Sequence, residues 1–302
     1  MKKGTLIVIA GPTAVGKTKL SIDLAKHLNA EIFSADSRQF YREMNIGTAK
    51  PSIEEMEGVP HHFINNKSVE DDYDAGQYEQ EVIAQLSSYF TNKDYAILTG
   101  GTGLYLRAVM EGLDDFPPVP QSSIDKIEQL YEEGGLDLLH QLLERQDRPY
   151  FDEVDLNNSR RLIRALSLID ATGQRFSDLR LGIKKERNFH ILPILLERDR
   201  ASLYDRINER VHQMVADGLI QEAKSLYPKR GLKSLDTVGY SEIFMQMDGL
   251  IDIHGAIALI QRNSRRYAKR QMTWFRKGDW NTIQADSPNA LEEVVKLIPA
   301  NK

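Results

Sequence analysis

The residues best placed to do chemistry stand near the head of the chain, at Gly11-Pro12-Thr13-Ala14-Val15-Gly16-Lys17-Thr18. Two glycines, a lysine and a threonine at this spacing make a loop whose backbone N–H groups close around phosphate oxygens. The apolar run Thr5–Ala10 before it and the amphipathic pattern from Lys17 to about Leu28 after it supply the strand and the helix the motif requires. The positive end of that helix faces the phosphates, Lys17 offers a mobile cation, and Thr18 offers a hydroxyl to Mg²⁺. A di- or triphosphate is the expected ligand, with Mg²⁺ its expected companion.

A second chemical group follows at Asp36, just past a short strand pattern at Glu31–Ala35. Phosphate-loop hydrolases place a magnesium-holding acid at the end of a buried strand. Here the candidate strand Tyr95–Thr99 runs into Gly100-Gly101-Thr102-Gly103 with no acid. Asp36 is the acid nearest the loop in sequence: either it is a magnesium ligand or it is free for proton work on a substrate, and a phosphate-bearing group donor fits better than nucleotide hydrolysis. His61 and His62 are adjacent, so on a strand they point to opposite faces and cannot hold one metal together. The chain has no cysteine, which excludes disulfides, thiolate metal sites and a thiol nucleophile.

The elements that must position these groups alternate strand and helix: Thr5–Ala10, helix 17–28, Glu31–Ala35, helix 76–90, Tyr95–Thr99. The run Phe116-Pro117-Pro118-Val119-Pro120 breaks the alternation, and only helical patterns follow at 124–133, 136–145 and 159–172. Strand pattern returns at His190–Leu196, before helices at 201–217, 219–227 and 254–276. This order predicts an α/β fold, a phosphate-loop, parallel-sheet core with an all-helical insertion domain. The expected boundaries are core 1–115, insertion 116–189, and core again over 190–302.

With 302 residues, 41% apolar side chains and a net charge of −5, the composition is that of an ordinary globular chain. No apolar run is long enough to span a bilayer. The start of the chain passes straight into strand and glycine loop rather than reading as a signal peptide, so a cytoplasmic location is expected. The charge is segregated. Residues 157–187 carry eight Lys/Arg against three acids, and residues 254–278 carry seven against none. In the second window Arg262, Arg265, Arg266, Lys269, Arg270, Arg276 and Lys277 fall on one side of a helix, opposite Ile257, Ile260, Tyr267, Ala268, Trp274 and Phe275. A solvated helix interleaves glutamates for i,i+4 pairing, and this one has none. Such a stripe fits a phosphate backbone. The two basic segments are expected to face each other across a cleft leading to the phosphate loop.

Together with the phosphate loop, the motifs Ser34-Ala35-Asp36-Ser37-Arg38-Gln39, Asn45-Ile46-Gly47-Thr48-Ala49-Lys50-Pro51, Pro60-His61-His62, Gly100–Tyr105 and Lys269–Arg276 closely resemble the bacterial tRNA dimethylallyltransferase family. The resemblance runs from residue 5 to about 277. It implies transfer of a five-carbon prenyl group from dimethylallyl pyrophosphate to the N6 amine of the adenosine 3′ of the anticodon. It further implies Asp36 as general base, Arg210 and Lys17 as cations on the leaving pyrophosphate, and Thr102 near the reacting base. The RNA contacts it implies are Asp36, Ser37, Arg38, Gln39, Thr102, Arg160, Arg161, Arg164, Lys269, Arg270 and Arg276. The partners are then the anticodon stem-loop and the prenyl donor, with no membrane, and the enzyme is expected to act as a monomer. Two departures stand out: Asn157-Asn158-Ser159-Arg160-Arg161 replaces a motif that varies within the family, and Ser241 stands where some members carry arginine.

Two rival functions share some of these features. A small-molecule or nucleotide kinase, with ATP in the loop, shares the motif and an early aspartate, but explains neither the basic C-terminal helix nor the lack of an arginine-rich lid motif. A nucleotide-controlled RNA-binding regulator without chemistry shares the loop and the basic stripes.

Overall fold

The computed structural model describes residues 4–299. The chain forms two compact units, Met1–Glu111 with Glu186–Lys302, and Gly112–Lys185. In the first, β1 (Thr5–Ala10), α1 (Lys17–Leu28), β2 (Glu31–Ser34), β3 (His61–His62), α2 (Ala75–Tyr89), β4 (Tyr95–Gly100) and α3 (Gly103–Glu111) come in order. The second unit holds α4 (Gln121–Gln146), α5 (Arg148–Glu153), α6 (Ser159–Thr172) and α7 (Phe176–Leu179). The first unit resumes with β5 (His190–Glu197), α8 (Arg200–Ala216), α9 (Leu219–Leu226), α10 (Tyr240–Met247), α11 (Ile253–Phe275), β6 (Asn281–Gln284) and α12 (Ala290–Leu297).

Six strands form one sheet in the order β3-β2-β4-β1-β5-β6, every pairing parallel. Strand β1 lies between β4 and β5, and all six of its residues are buried. A central parallel strand covered on both faces reads as a continuous apolar run, which is why β1 is legible in the sequence. Its side chains alternate. Leu6, Val8 and Ala10 meet Tyr78, Val82 and Leu86 of α2 and Leu106 of α3, while Ile7 and Ile9 meet Leu20 and Leu24 of α1 and Leu203 of α8.

The parallel arrangement delivers the carboxyl ends of β1, β2, β4 and β5 to one edge of the sheet, where α/β proteins place their ligands. The phosphate loop, Asp36, Gly101-Thr102 and Arg198 follow those four ends in turn. Gly16 opens α1 with φ 121°, a conformation that L side chains rarely adopt.

In the second unit, Leu139 and Leu143 of α4 pack against Leu162 and Leu166 of α6. Gly135, at φ 62° and ψ −155°, breaks α4 where the sequence separates two helical patterns. Asn158 caps α6, its side chain accepting from the Arg161 N–H at 3.3 Å, so the variable Asn157-Asn158-Ser159 stretch serves as a helix start. Gly173 ends α6 in the left-handed conformation.

The unit boundaries differ from the sequence expectation by a few residues at each end. At the carboxyl end the reason is Arg187, whose guanidinium pairs with Glu79 at 2.8 Å and donates to the carbonyls of Ala108 and Val109 at 2.7 and 2.9 Å. Both side chains of the pair are only 8% exposed. Phe189 joins the same core. The returning chain is therefore anchored to α2 and α3 before β5 begins.

Candidate active site at the carboxyl edge of the sheet

The phosphate loop is held from outside by side chains distant in sequence. Arg210, on α8, donates to Thr13 Oγ1 at 3.1 Å and to the Ala49 carbonyl at 3.3 Å. One turn earlier, Arg206 donates to the Ala14 carbonyl at 2.9 Å, and Arg198 approaches the Val15 carbonyl at 3.4 Å. Helical spacing puts Arg206 and Arg210 on one face, so both reach the loop. Arg206 and Arg198 were not among the residues singled out from sequence, although their spacing from Arg210 along one strand and helix was available. They also remove an argument. Arginines do ring this loop, so the lack of an arginine-rich lid motif does not separate a transferase from a kinase.

Lys17 folds back over the loop, its ammonium donating to the carbonyls of Gly11 and Pro12 at 3.0 and 2.8 Å. Part of the side chain still meets solvent, but the ammonium is enclosed. Burial pushes its pKa down to about 8; Asp36 opposes that fall and Arg210 adds to it. Arg210 is likewise lowered, by burial first, with Asp36 again opposing. The loop thus carries two crowded cations and one nearby carboxylate, a surplus of positive charge that a pyrophosphate would relieve. Ala14 sits at φ 62°, strain on the order of 1–3 kcal/mol of the kind functional loops retain.

Asp36 follows β2. Its Oδ1 accepts from the Arg38 N–H at 3.0 Å, a turn that fixes the carboxylate. The Ser37 N–H donates to Thr102 Oγ1 at 3.2 Å, and Thr102 is within 3.3 Å of the Ser37 hydroxyl. Tyr267, from α11, shares a hydrogen bond with Thr102; burial, and then Asp36, push its phenol up to about 12. Asp36, Ser37 and Thr102 are therefore brought together, at the ends of β2 and β4.

Arg38 and Gln39 lie in the same segment with their side chains engaged in the protein. The Arg38 guanidinium donates to the Ser234 and Asp236 carbonyls at 3.0 and 3.2 Å. The Gln39 amide donates to the Thr48 and Ala49 carbonyls, both at 3.3 Å. Each holds backbone of the protein in place. The 45–50 segment that Gln39 helps hold is also gripped by Glu222, whose carboxylate accepts from the N–H groups of Asn45, Ile46 and Gly47 at 2.9, 2.9 and 3.0 Å and from the Tyr240 hydroxyl at 2.6 Å. Lys50, which donates to the Tyr41 carbonyl at 2.7 Å, is lowered to about 8 by burial, against the pull of Glu222. Ser241 donates to the Thr237 carbonyl at 3.1 Å.

The basic stripe is on the surface. Arg262, Arg266, Lys269, Arg270, Arg276 and Lys277 are exposed, and a shallow depression of about 450 Å³ is lined by Arg266, Lys269, Arg270, Thr273, Trp274 and Lys277. Arg265 differs from its neighbours, being half-buried and hydrogen-bonded to Asn208 Oδ1. In the second unit Arg160, Arg161 and Arg164 are exposed on α6, with the Arg164 guanidinium 5.5 Å from the Phe116 ring centre. His61 and His62 have separate partners: His61 Nδ1 meets the Val59 carbonyl at 2.8 Å, and His62 lies between Glu31 and Gln85 at 2.6 and 2.7 Å.

Among the described residues no group of three acids or histidines forms a metal cluster. A divalent ion would therefore arrive with phosphate oxygens, which suits Mg²⁺, an ion that keeps much of its water. The exposed Thr18 hydroxyl at the start of α1 is the side-chain ligand on offer. No helix among these residues is long and apolar enough to cross a membrane.

A phosphate loop at the carboxyl edge of a parallel sheet, with a carboxylate beside it, defines the class of phosphate-loop proteins. Residues 39–278 match the IPP transferase family. The chain is 46% identical to the tRNA dimethylallyltransferase of Christiangramia forsetii, over 97% of this chain and 98% of that one. It is 44% identical to tRNA dimethylallyltransferase 1 of Bacteroides fragilis, over 100% and 99%. Its fold matches the full-length tRNA isopentenylpyrophosphate transferase of Bacillus halodurans, with TM-score 0.68 and 38% identity over 98% and 99% of the two chains. A eukaryotic dimethylallyltransferase acting on tRNA matches with TM-score 0.83 and 26% identity, over 97% of this chain and 78% of that one. The chain belongs to the IPP transferase family.

Proposed function

We propose that this prenyltransferase moves a dimethylallyl group from dimethylallyl pyrophosphate to the N6 amine of the adenosine 3′ of the anticodon in tRNA, releasing pyrophosphate. The observation that carries the reading is the pairing of a cation-rich phosphate loop with Asp36, in a sheet whose β4 ends without an acid. The pyrophosphate lies in Gly11–Thr18, against the loop N–H groups, Lys17 and Arg210. As the allylic C–O bond breaks, negative charge grows on pyrophosphate, and cations already fixed in place stabilise it without rearranging. Thr18 would hold Mg²⁺, which would supply further charge neutralisation to the departing pyrophosphate.

The acceptor amine forms the new C–N bond at the allylic carbon, and its proton passes to Asp36. An aryl amine is a weak nucleophile, so a carboxylate whose hydrogen bond strengthens as charge develops is what the step needs. Thr102, held by Ser37 and Tyr267, sits beside that base. The exposed cations of α11 and α6 bind RNA phosphates, and the target adenine leaves its stack to reach the donor. The kinase alternative is not favoured: the relatives that match along the whole chain are named for tRNA prenylation. Release of pyrophosphate from dimethylallyl pyrophosphate should require both an anticodon stem-loop and its adenosine. Phosphate release from ATP at a comparable rate, without RNA, would overturn the reading.

A further inference from the structure

Helix α11 has a second face. Its outer side carries the basic stripe, but on its buried side Gln271 occupies a position between Ala268 and Phe275 and is only 6% exposed. Its Oε1 accepts from the Thr13 N–H at 2.9 Å, and its Nε2 donates to the Gly101 carbonyl at 2.9 Å. One side chain therefore ties the phosphate loop after β1 to the turn after β4. Contact is so close that a Cβ on Gly101 would lie 2.3 Å from Gln271 Nε2, and one on Gly103 2.4 Å from the Trp274 ring. These two glycines make room for α11. One turn before Gln271, Tyr267 reaches Thr102 in the same turn.

Lys269 and Arg270 immediately precede Gln271 and point to solvent. A ligand that fixes them fixes the helix segment from which Gln271 projects. Both polar atoms of Gln271 are buried and both are satisfied, so a shift of the helix must either carry the loop with it or break a buried hydrogen bond. The Thr13 N–H belongs to the loop that closes around phosphate, and ordering it in advance removes part of the cost of binding there.

We propose that Gln271 is a positioning residue that couples RNA docking on the outer face of α11 to the shape of the phosphate loop, so that RNA and the pyrophosphate donor bind cooperatively. The inference rests on the functional reading above. A coupling carried by one buried hydrogen-bonded side chain amounts to about three- to tenfold in affinity, and it acts equally in both directions.

The test uses inorganic pyrophosphate as the loop probe and an anticodon stem-loop as the RNA. In the wild-type chain pyrophosphate should bind about three- to tenfold more tightly with RNA present, and RNA by the same factor with pyrophosphate present. In Gln271→Met, which fills the space without hydrogen bonding, each ligand should still bind but the factor should fall to near one. A merely structural glutamine would lower the melting temperature and leave the factor intact, and that result overturns the proposal. If the variant does not fold, amide exchange in the wild-type chain decides. RNA alone should slow exchange over residues 11–18, and unchanged exchange there overturns the proposal. Failure of the wild type to bind either ligand alone would instead overturn the functional reading, and the inference with it.

Discussion

Lys17 ties donor binding to pH in a way that can be worked out from the site. In the free loop its ammonium is enclosed and its pKa falls to about 8. With a pyrophosphate beside it the charged form is favoured again, so donor binding takes up a proton whenever the pH exceeds about 8. Donor affinity should then fall about tenfold between pH 7 and 9, and approach a further tenfold by pH 10. The donor cannot cause this, because its last phosphate ionisation lies near about 6. Lys50, which also falls to about 8, faces Glu222, Glu43 and Asp36 and titrates in the same window. Lys17→Arg keeps its charge throughout and should give a flat profile, whereas Lys50→Arg should leave the slope in place. Calorimetry in buffers of different ionisation enthalpy measures the proton uptake directly. The sign reverses for stability: the free folded chain disfavours the charged lysine, so this group contributes stability above the unfolded value of 10.5 and loses it as pH falls through about 8. A steep profile that persists in Lys17→Arg would refute the reasoning.

Asp36→Asn keeps size but removes proton affinity, so single-turnover prenyl transfer should drop by about two to four orders of magnitude while RNA affinity changes little; near-normal turnover removes Asp36 from the base role. Replacing Arg266, Lys269 and Arg270 with Ala should reduce the slope of log RNA affinity against log salt by roughly 0.7–0.9 per lost contact, and replacing Arg160, Arg161 and Arg164 should do the same. Arg265 is left out of the first set because its bond to Asn208 gives it a task inside the protein. Arg187→Ala removes the buried guanidinium that pairs with Glu79 and donates to two carbonyls of α3, and should cost about 3–5 kcal/mol in denaturant unfolding. A loss below about 1 kcal/mol would mean that water reaches the pair.

The central strands and the long helices were legible because each has a strong period or a fully apolar run. Strands β3 and β6 were not: His61–His62 is two residues long and Asn281–Gln284 buries only Ile283, so neither carries a pattern. The short helices α10 and α12 were not read from the sequence either. At the site, residues within a local motif were visible and Arg210 came from the family resemblance, whereas Arg198, Arg206 and Glu222, which act across the fold, were not read. Glu222 reads as one more acid on a surface helix, yet it receives three backbone N–H groups from residues 45–47. Gln271 did leave a trace, as a polar residue on the apolar side of α11, where a buried amide must find partners. Arg38 and Gln39 show the opposite limit. Their motif was plain, but only the fold brings both side chains onto backbone carbonyls.

The most direct measurement is the mass of an unmodified tRNA after incubation with the protein, Mg²⁺ and dimethylallyl pyrophosphate, followed by digestion to nucleosides. The account predicts the gain of one five-carbon prenyl unit, found on the N6 of the adenosine 3′ of the anticodon, with one pyrophosphate released per group transferred. RNA recovered without any prenyl group, from protein shown to bind both substrates, would contradict it.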